Sequence, residues 1–334
     1  MSNKLNIKFN YIVSPPRKIN EVFIFPDGDF IIFENDDAIL FDSKTLKPKL
    51  TFFIYISNFF NYFSKDEFGL MNLSGGLELC KFKENRTRYE TFQKIDLFNI
   101  NLKKIIRISN EDIIILRTYL GRIIADIFRK RGSEYFEESK YQLLNIDDII
   151  DLDQNEFLVY KKSIVPEGLE LRIIKNKNYE EKKKKFIKSD IKLKKRLYIL
   201  TKIYKIKNHN KLICGGVYEI FIIDINELEL ETTIKLNKTI KNILIRNNGD
   251  LFALTYEEKL SEEYYGGHKY DWEYHLKIIK INFQYNDLIK EEEKILKDNI
   301  GNLASFFTIY NYMENGLLTT CDQNRVIIYD NFKY

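Results

Sequence analysis

Five residues in the C-terminal third have the side chains that dominate recognition surfaces. Tyr264, Tyr265, His268, Tyr270 and Trp272 cluster around Gly266 and Gly267 and are flanked by Glu262, Glu263 and Asp271. Tyr and Trp supply most of the energy in protein interfaces, and glycines let a segment shape itself to a partner. The pattern predicts a partner-binding loop, with Trp272 at the start of the following strand. A solvated loop with Trp272 packing at a strand start is the plainer account.

A second cluster is basic. Lys182, Lys183, Lys184, Lys185, Lys194, Lys195 and Arg196 fall in the segment 182–196, offset in part by Glu180, Glu181 and Asp190. Such a run can bind anions: lipid headgroups, RNA or an acidic partner. It can equally be the charged outer strand of a sheet, where Lys guards an exposed edge. In a chain this rich in Lys the second use is the more ordinary one.

Catalytic patterns are not found. The sequence has no P-loop, no GxGxxG and no GxSxG. Asp36-Asp37 and Asp147-Asp148 sit in turn-like stretches and read as strand-end caps. His209 falls in an Asn-rich turn and His275 in a strand, neither with a Cys or Asp at nucleophile spacing. Cys80, Cys214 and Cys321 are far apart and lack CxxC spacing, so they are expected to be reduced thiols inside strands. Asn-x-Ser/Thr triplets begin at Asn72, Asn85 and Asn237 and read as chance matches in an Asn-rich chain. No enzyme activity, cofactor or metal site is expected.

Composition sets the wider bounds. The chain has 334 residues, 44% hydrophobic and 31% charged, enough for a large core and a solvated exterior. Its formal net charge of +4 is far below the excess of a dedicated nucleic-acid binder. The start lacks an apolar run of signal-peptide length, and the apolar stretch 51–63 is broken by Ser57, Asn58 and Asn61. A cytoplasmic chain with no transmembrane segment is expected.

The elements that must position these clusters recur. Across 20–53, short apolar runs beginning at Val22, Phe30 and Ala38 and a fourth ending at Phe53 are separated by Pro26-Asp-Gly-Asp, Glu34-Asn-Asp-Asp and Ser-Lys-Thr. Four β-rich runs parted by turn residues are one structural unit. The unit returns along the chain, its third run ending near Asp42, Phe82, Asp126, Ile174, Asp224, Ile281 and Asp330, a spacing of roughly 40 to 57 residues. Four-stranded units at this period predict a β-propeller. The last unit has only three runs, whereas residues 5–12 alternate apolar and polar and belong to no unit. That segment is expected to supply the missing strand.

The stretch from Asn315-Gly through Cys321-Asp-Gln-Asn to Tyr329-Asp330 resembles a WD-repeat blade, with Tyr329-Asp330 at the closing dipeptide. Phe41-Asp42, Ala125-Asp126 and Ile223-Asp224 stand at equivalent places. No Trp-Asp pair occurs, and the Gly-His pair appears only as Gly267-His268, so the resemblance is to a divergent member. It implies a rigid disc serving as a platform for protein assembly. In such propellers the second-to-third-strand connection lies on the same rim as the connections between blades. The run Phe128-Arg-Lys-Arg-Gly132 is similar to the Phe-Arg-Arg-Gly signature of phosphoinositide-binding autophagy propellers, but Lys130 separates the arginines, and it reads as a basic turn.

The expectation is thus an all-β, single-domain, seven-bladed propeller over 1–334 with four-stranded antiparallel blades. The blades fall at about 20–54, 58–97, 101–143, 146–190, 198–236, 239–296 and 303–330, with the N-terminal strand 4–12 closing the last. It is expected to act as a non-catalytic protein–protein interaction scaffold, monomeric within a complex. The alternative is a membrane-surface (phosphoinositide) or nucleic-acid adaptor using 182–196. The charged runs 180–188 and 289–297 are the weakest strands, since both favour helix by propensity.

Overall fold

The computed structural model describes residues 6–12, 19–34, 37–53, 60–64, 66–71, 76–96, 101–152, 155–164, 167–188, 203–206, 209–245, 251–264, 267–282, 287–295, 306–311, 317–321 and 325–330. Among them the chain is all-β, organised as seven four-stranded antiparallel sheets.

The N-terminal strand is β1 (Asn6–Ile12). The first sheet follows with β2 (Glu21–Ile24), β3 (Phe30–Phe33), β4 (Asp37–Phe41) and β5 (Pro48–Phe53). The second holds β6 (Phe60–Ser64), β7 (Glu67–Met71), β8 (Leu77–Lys83) and β9 (Arg88–Ile95). The third holds β10 (Asn101–Arg107), β11 (Ile113–Tyr119), β12 (Arg122–Arg131) and β13 (Glu134–Leu144). The fourth holds β14 (Asp148–Asp151), β15 (Glu156–Ile164), β16 (Glu167–Lys175) and β17 (Glu181–Lys188). In the fifth are β18 (Tyr204–Lys205), β19 (Lys211–Gly215), β20 (Glu219–Asp224) and β21 (Glu229–Lys235). The sixth has β22 (Thr239–Ile245), β23 (Leu251–Tyr264), β24 (Gly267–Asn282) and β25 (Asp287–Ile295). The seventh has β26 (Phe306–Asn311), β27 (Leu317–Cys321) and β28 (Arg325–Asp330), and β1 is its fourth strand.

That last pairing is the one expected from the alternating N-terminal segment. β1 runs antiparallel to β28 from Asn6 opposite Asp330 to Ile12 opposite Arg325, with a bulge between Ile7 and Phe9. It covers an edge that would otherwise present unpaired backbone groups. Both charged runs are strands, β17 and β25. Pairing along Leu169–Ile174 and Leu276–Ile281 overrides their helical propensity.

The chain divides into two compact units, Met1–Glu34, Phe41–Lys47 and Asp190–Tyr334 in one, and Asn35–Leu40 and Pro48–Ser189 in the other. Burial explains the sequence pattern in each. Second and third strands are near-continuous apolar runs because both faces are covered: β3 is buried at every residue, and so are Ile113–Leu116, Phe157–Tyr160 and Ile220–Ile223. Outer strands such as β9 and β17 are largely exposed.

Within each unit, sheets that follow one another pack face to face in three places. In the second unit, Leu77 and Leu79 of the second sheet meet Ile105, Ile113, Ile115 and Phe128 of the third. The opposite face of the third, through Ile114, Leu116, Ala125 and Ile127, packs on Ile149, Phe157, Val159 and Ile174 of the fourth. In the first unit, Ile213, Ile220 and Ile222 of the fifth sheet pack on Ile243, Leu251, Ala253 and Ile279 of the sixth. Cys80 and Cys214 are buried reduced thiols in β8 and β19, as expected.

A repeated latch holds the far turns. The residue just before the second strand is Asp29, Asp66, Asp112, Asn155 or Asn210 in the first five sheets, and each accepts a backbone N–H from the end of the third strand. Asp29 and Asp112 use a carboxylate oxygen, accepting from Ser43 at 2.9 Å and Lys130 at 2.9 Å. Asp66, Asn155 and Asn210 use the main-chain carbonyl, accepting from Phe82 at 2.8 Å, Asn176 at 2.8 Å and Ile225 at 2.9 Å. Asp66 and Asn155 are left-handed (φ 66° and 62°), a conformation short polar residues tolerate.

Candidate functional site

The segment read as a loop is strand. β23 continues to Tyr264 and β24 restarts at Gly267, where the sequence reading ended the first near Tyr256 and began the second near Trp272. The pairs are Glu257 with Glu273, Glu258 with Trp272, Lys259 with Asp271 and Leu260 with Tyr270. After a bulge come Glu262 with Lys269, Glu263 with His268 and Tyr264 with Gly267. The partner strands stop earlier: β22 ends its pairing with Thr239 opposite Tyr256, and β25 with Ile295 opposite His275. Beyond that line the hairpin continues as a two-stranded ribbon, roughly 25 Å long at about 3.3 Å per residue.

The ribbon positions four of the five partner-binding candidates. Strand residues two apart share a face, as do residues directly opposite. His268, Tyr270, Trp272 and Tyr274 therefore lie on one face of β24, shared by Tyr256, Glu258, Leu260 and Glu263 of β23, whereas Tyr264, opposite Gly267, lies on the other. Glu257, Lys259, Asp271 and Glu273 occupy the other. Tyr265 lies outside the described residues. The signal for this ribbon was present in 268–274 (His-Lys-Tyr-Asp-Trp-Glu-Tyr), which alternates at the period of a strand.

The basic cluster is divided. Lys182, Lys183, Lys184 and Lys185 lie on β17, the outer strand of the fourth sheet, while Lys194, Lys195 and Arg196 lie outside the described residues. Lys182 Nζ pairs with Glu156 of β15 at 2.6 Å and Lys184 Nζ with Glu170 of β16 at 3.2 Å. Phe186 lies over Gly168 of β16, where an added Cβ would stand 2.5 Å from both its Cζ and the Ile187 carbonyl.

The run 128–132 forms the end of β12 and its turn, with Gly132 at φ 66°. Its cations are held locally. Arg129 lies over the Tyr179 ring at 5.3 Å, Lys130 pairs with Glu111 at 2.9 Å, and Arg131 lies over Phe136 at 5.6 Å. Beside them, buried Asp112 accepts from the Tyr179 hydroxyl and from Asn110 Nδ2 at 2.8 Å. Burial, then the bond to this carboxylate, pushes the Tyr179 phenol well above its ordinary value. Lys130 and Arg107 hold the Glu111 carboxyl below its usual range. These contacts close a turn cluster within the third and fourth sheets.

Sequence reasoning missed a set of exposed apolar residues. Tyr119 and Leu120 stand at the turn between the second and third strands of the third sheet, and Tyr218 at the same turn of the fifth. Leu144 and Ile12 end the fourth strands of the third and seventh sheets. In each of these sheets those positions fall at the end that bears its own second-to-third-strand turn, as the ribbon does in the sixth.

Among the described residues, no group of three or more His, Cys, Asp and Glu is placed to hold a metal, and no helix is long and apolar enough to cross a membrane. No protein-family model matches the chain, and no curated protein matches it.

Proposed function

We propose that the protein is a protein–protein interaction scaffold, non-catalytic, built as a divergent WD-like propeller in which the seven sheets are blades and β1 closes the last. The observation that carries this reading is the ribbon, a two-stranded extension of a single sheet that places Tyr256, Tyr270, Trp272 and Tyr274 in one register face. A two-stranded ribbon is marginal on its own, which suits a segment that is completed by a partner. The ribbon is the proposed partner-binding element. The adaptor reading has less support, because Lys182 and Lys184 already pair with Glu156 and Glu170.

The test is affinity capture from the native cell extract, comparing the wild type with a Tyr270→Ala/Trp272→Ala variant of equal thermal stability. The proposal expects a discrete partner set held by the wild type and lost from the variant. Identical partner sets would refute the ribbon as the contact. Loss of capture on nuclease or detergent treatment would favour the adaptor.

A further inference from the structure

The turn between β11 and β12 has a residue that suits neither its backbone nor its surroundings. Leu120 and Gly121 both have positive φ, 47° and 76°, the signature of a type I′ hairpin turn. Asn-Gly is the sequence such a turn favours, because a left-handed residue with a branched apolar side chain is strained. Gly121 meets this demand, and Leu120 does not. Leu120 gains little from burial, since it is 84% exposed. A residue that breaks both the conformational and the solvation rule without an internal contact marks a site kept for an external one.

Its neighbours make a surface. Tyr119 is opposite Arg122, Arg117 is opposite Ile124, and Ile124 is opposite Leu144, so all five share one face of the third sheet. Tyr119 and Leu144 are 54% and 53% exposed. The Arg117 guanidinium lies 5.7 Å from the centroid of the Tyr119 ring and is tied to Asp126, itself held by Gln142 at 2.8 Å. The tyrosine is thus a braced platform. Arg122 and Lys103, the latter at the bulge of β10 on the same end, are exposed cations. The nearby acid Asp126 is spent on Arg117. The patch is therefore apolar at its centre and positive at its rim.

We propose that the β11–β12 turn and the end of β13 form a docking surface for an acidic polypeptide segment. The segment seats an apolar side chain against Tyr119, Leu120 and Leu144 and places a carboxylate on Arg122. Arginine and tyrosine around an apolar anchor are the residue types of protein hot spots. Two exposed cations and a small apolar patch without a covalent lipid fall short of the two signals that stable membrane anchoring requires. The inference stands on the third sheet alone, independent of the ribbon and of ring closure.

The test measures fluorescence anisotropy of a labelled peptide of alternating Glu and Leu. A Glu–Ser peptide of equal charge and phosphatidylserine-containing vesicles are run beside it, against the wild type, Leu120→Asn and Arg122→Gln. The expected result is saturable binding of the Glu–Leu peptide and not the Glu–Ser peptide, weakened roughly tenfold or more in each variant. Leu120→Asn creates the favoured turn and raises the melting temperature, so weaker binding cannot be misfolding. Equal affinity in wild type and Leu120→Asn, or no peptide binding by the wild type, overturns the proposal. So does Leu120-dependent vesicle binding without peptide binding. Trp272→Ala leaves the peptide affinity unchanged, which separates failure here from failure of the ribbon.

Discussion

Asp112 shows how one carboxylate organises a turn. It is buried, and it receives the Lys130 N–H, the Asn110 side-chain amide and the Tyr179 hydroxyl. Asp112→Ala leaves those donors without an acceptor, each at a cost of about 1–3 kcal/mol. A loss of several kcal/mol in urea denaturation is expected, and a loss below about 1 kcal/mol would deny the latch its role. Gly168→Ala is expected to destabilise by about 1–3 kcal/mol, because Phe186 and the Ile187 carbonyl occupy the space a methyl needs. Alkaline pH tests the buried acids. Burial raises the Cys80 thiol from 9.0 to about 11 and the Tyr135 phenol from 10.0 to about 12. The unfolded chain releases these protons first, so stability is complete below about pH 9 and falls as pH climbs through the folded values. Urea midpoints that stay level from pH 8 to about pH 11 would contradict this.

At the scale of elements, the proposed binding ribbon lies beyond the four-stranded part of the sixth sheet. Replacing 257–274 by an Asn-Gly turn that joins Tyr256 to His275 removes only pairs beyond β22 and β25. The shortened protein is expected to keep its melting temperature within a few degrees and to lose its captured partners. Collapse of the fold would mean the ribbon supports the core. Removing residues 1–12 does the opposite: it uncovers β28, and lower stability with aggregation is expected by light scattering. Most elements were legible because two-sided burial writes itself as runs such as Phe30–Phe33, and the turns between them as Asp or Asn. The ribbon was misread because Glu257–Glu263 is charged and the Gly-Gly pair looks like loop. Its alternation becomes informative only once both strands are counted together. The Tyr119–Leu120 patch left no pattern, since an exposed leucine in a left-handed turn is visible only as an angle.

For the whole molecule, the near-balanced charge fits a particle that recognises partners through local surfaces, with no uniform field. Each proposed binding surface stands at the second-to-third-strand turn of its own sheet. The central claim is that the seven sheets close into one propeller through β1, and a crystal structure tests it most directly. The account predicts seven sheets arranged radially about one channel, the N-terminal strand lying beside Arg325–Asp330. Two bodies without a common axis, or β1 detached from β28, would contradict it.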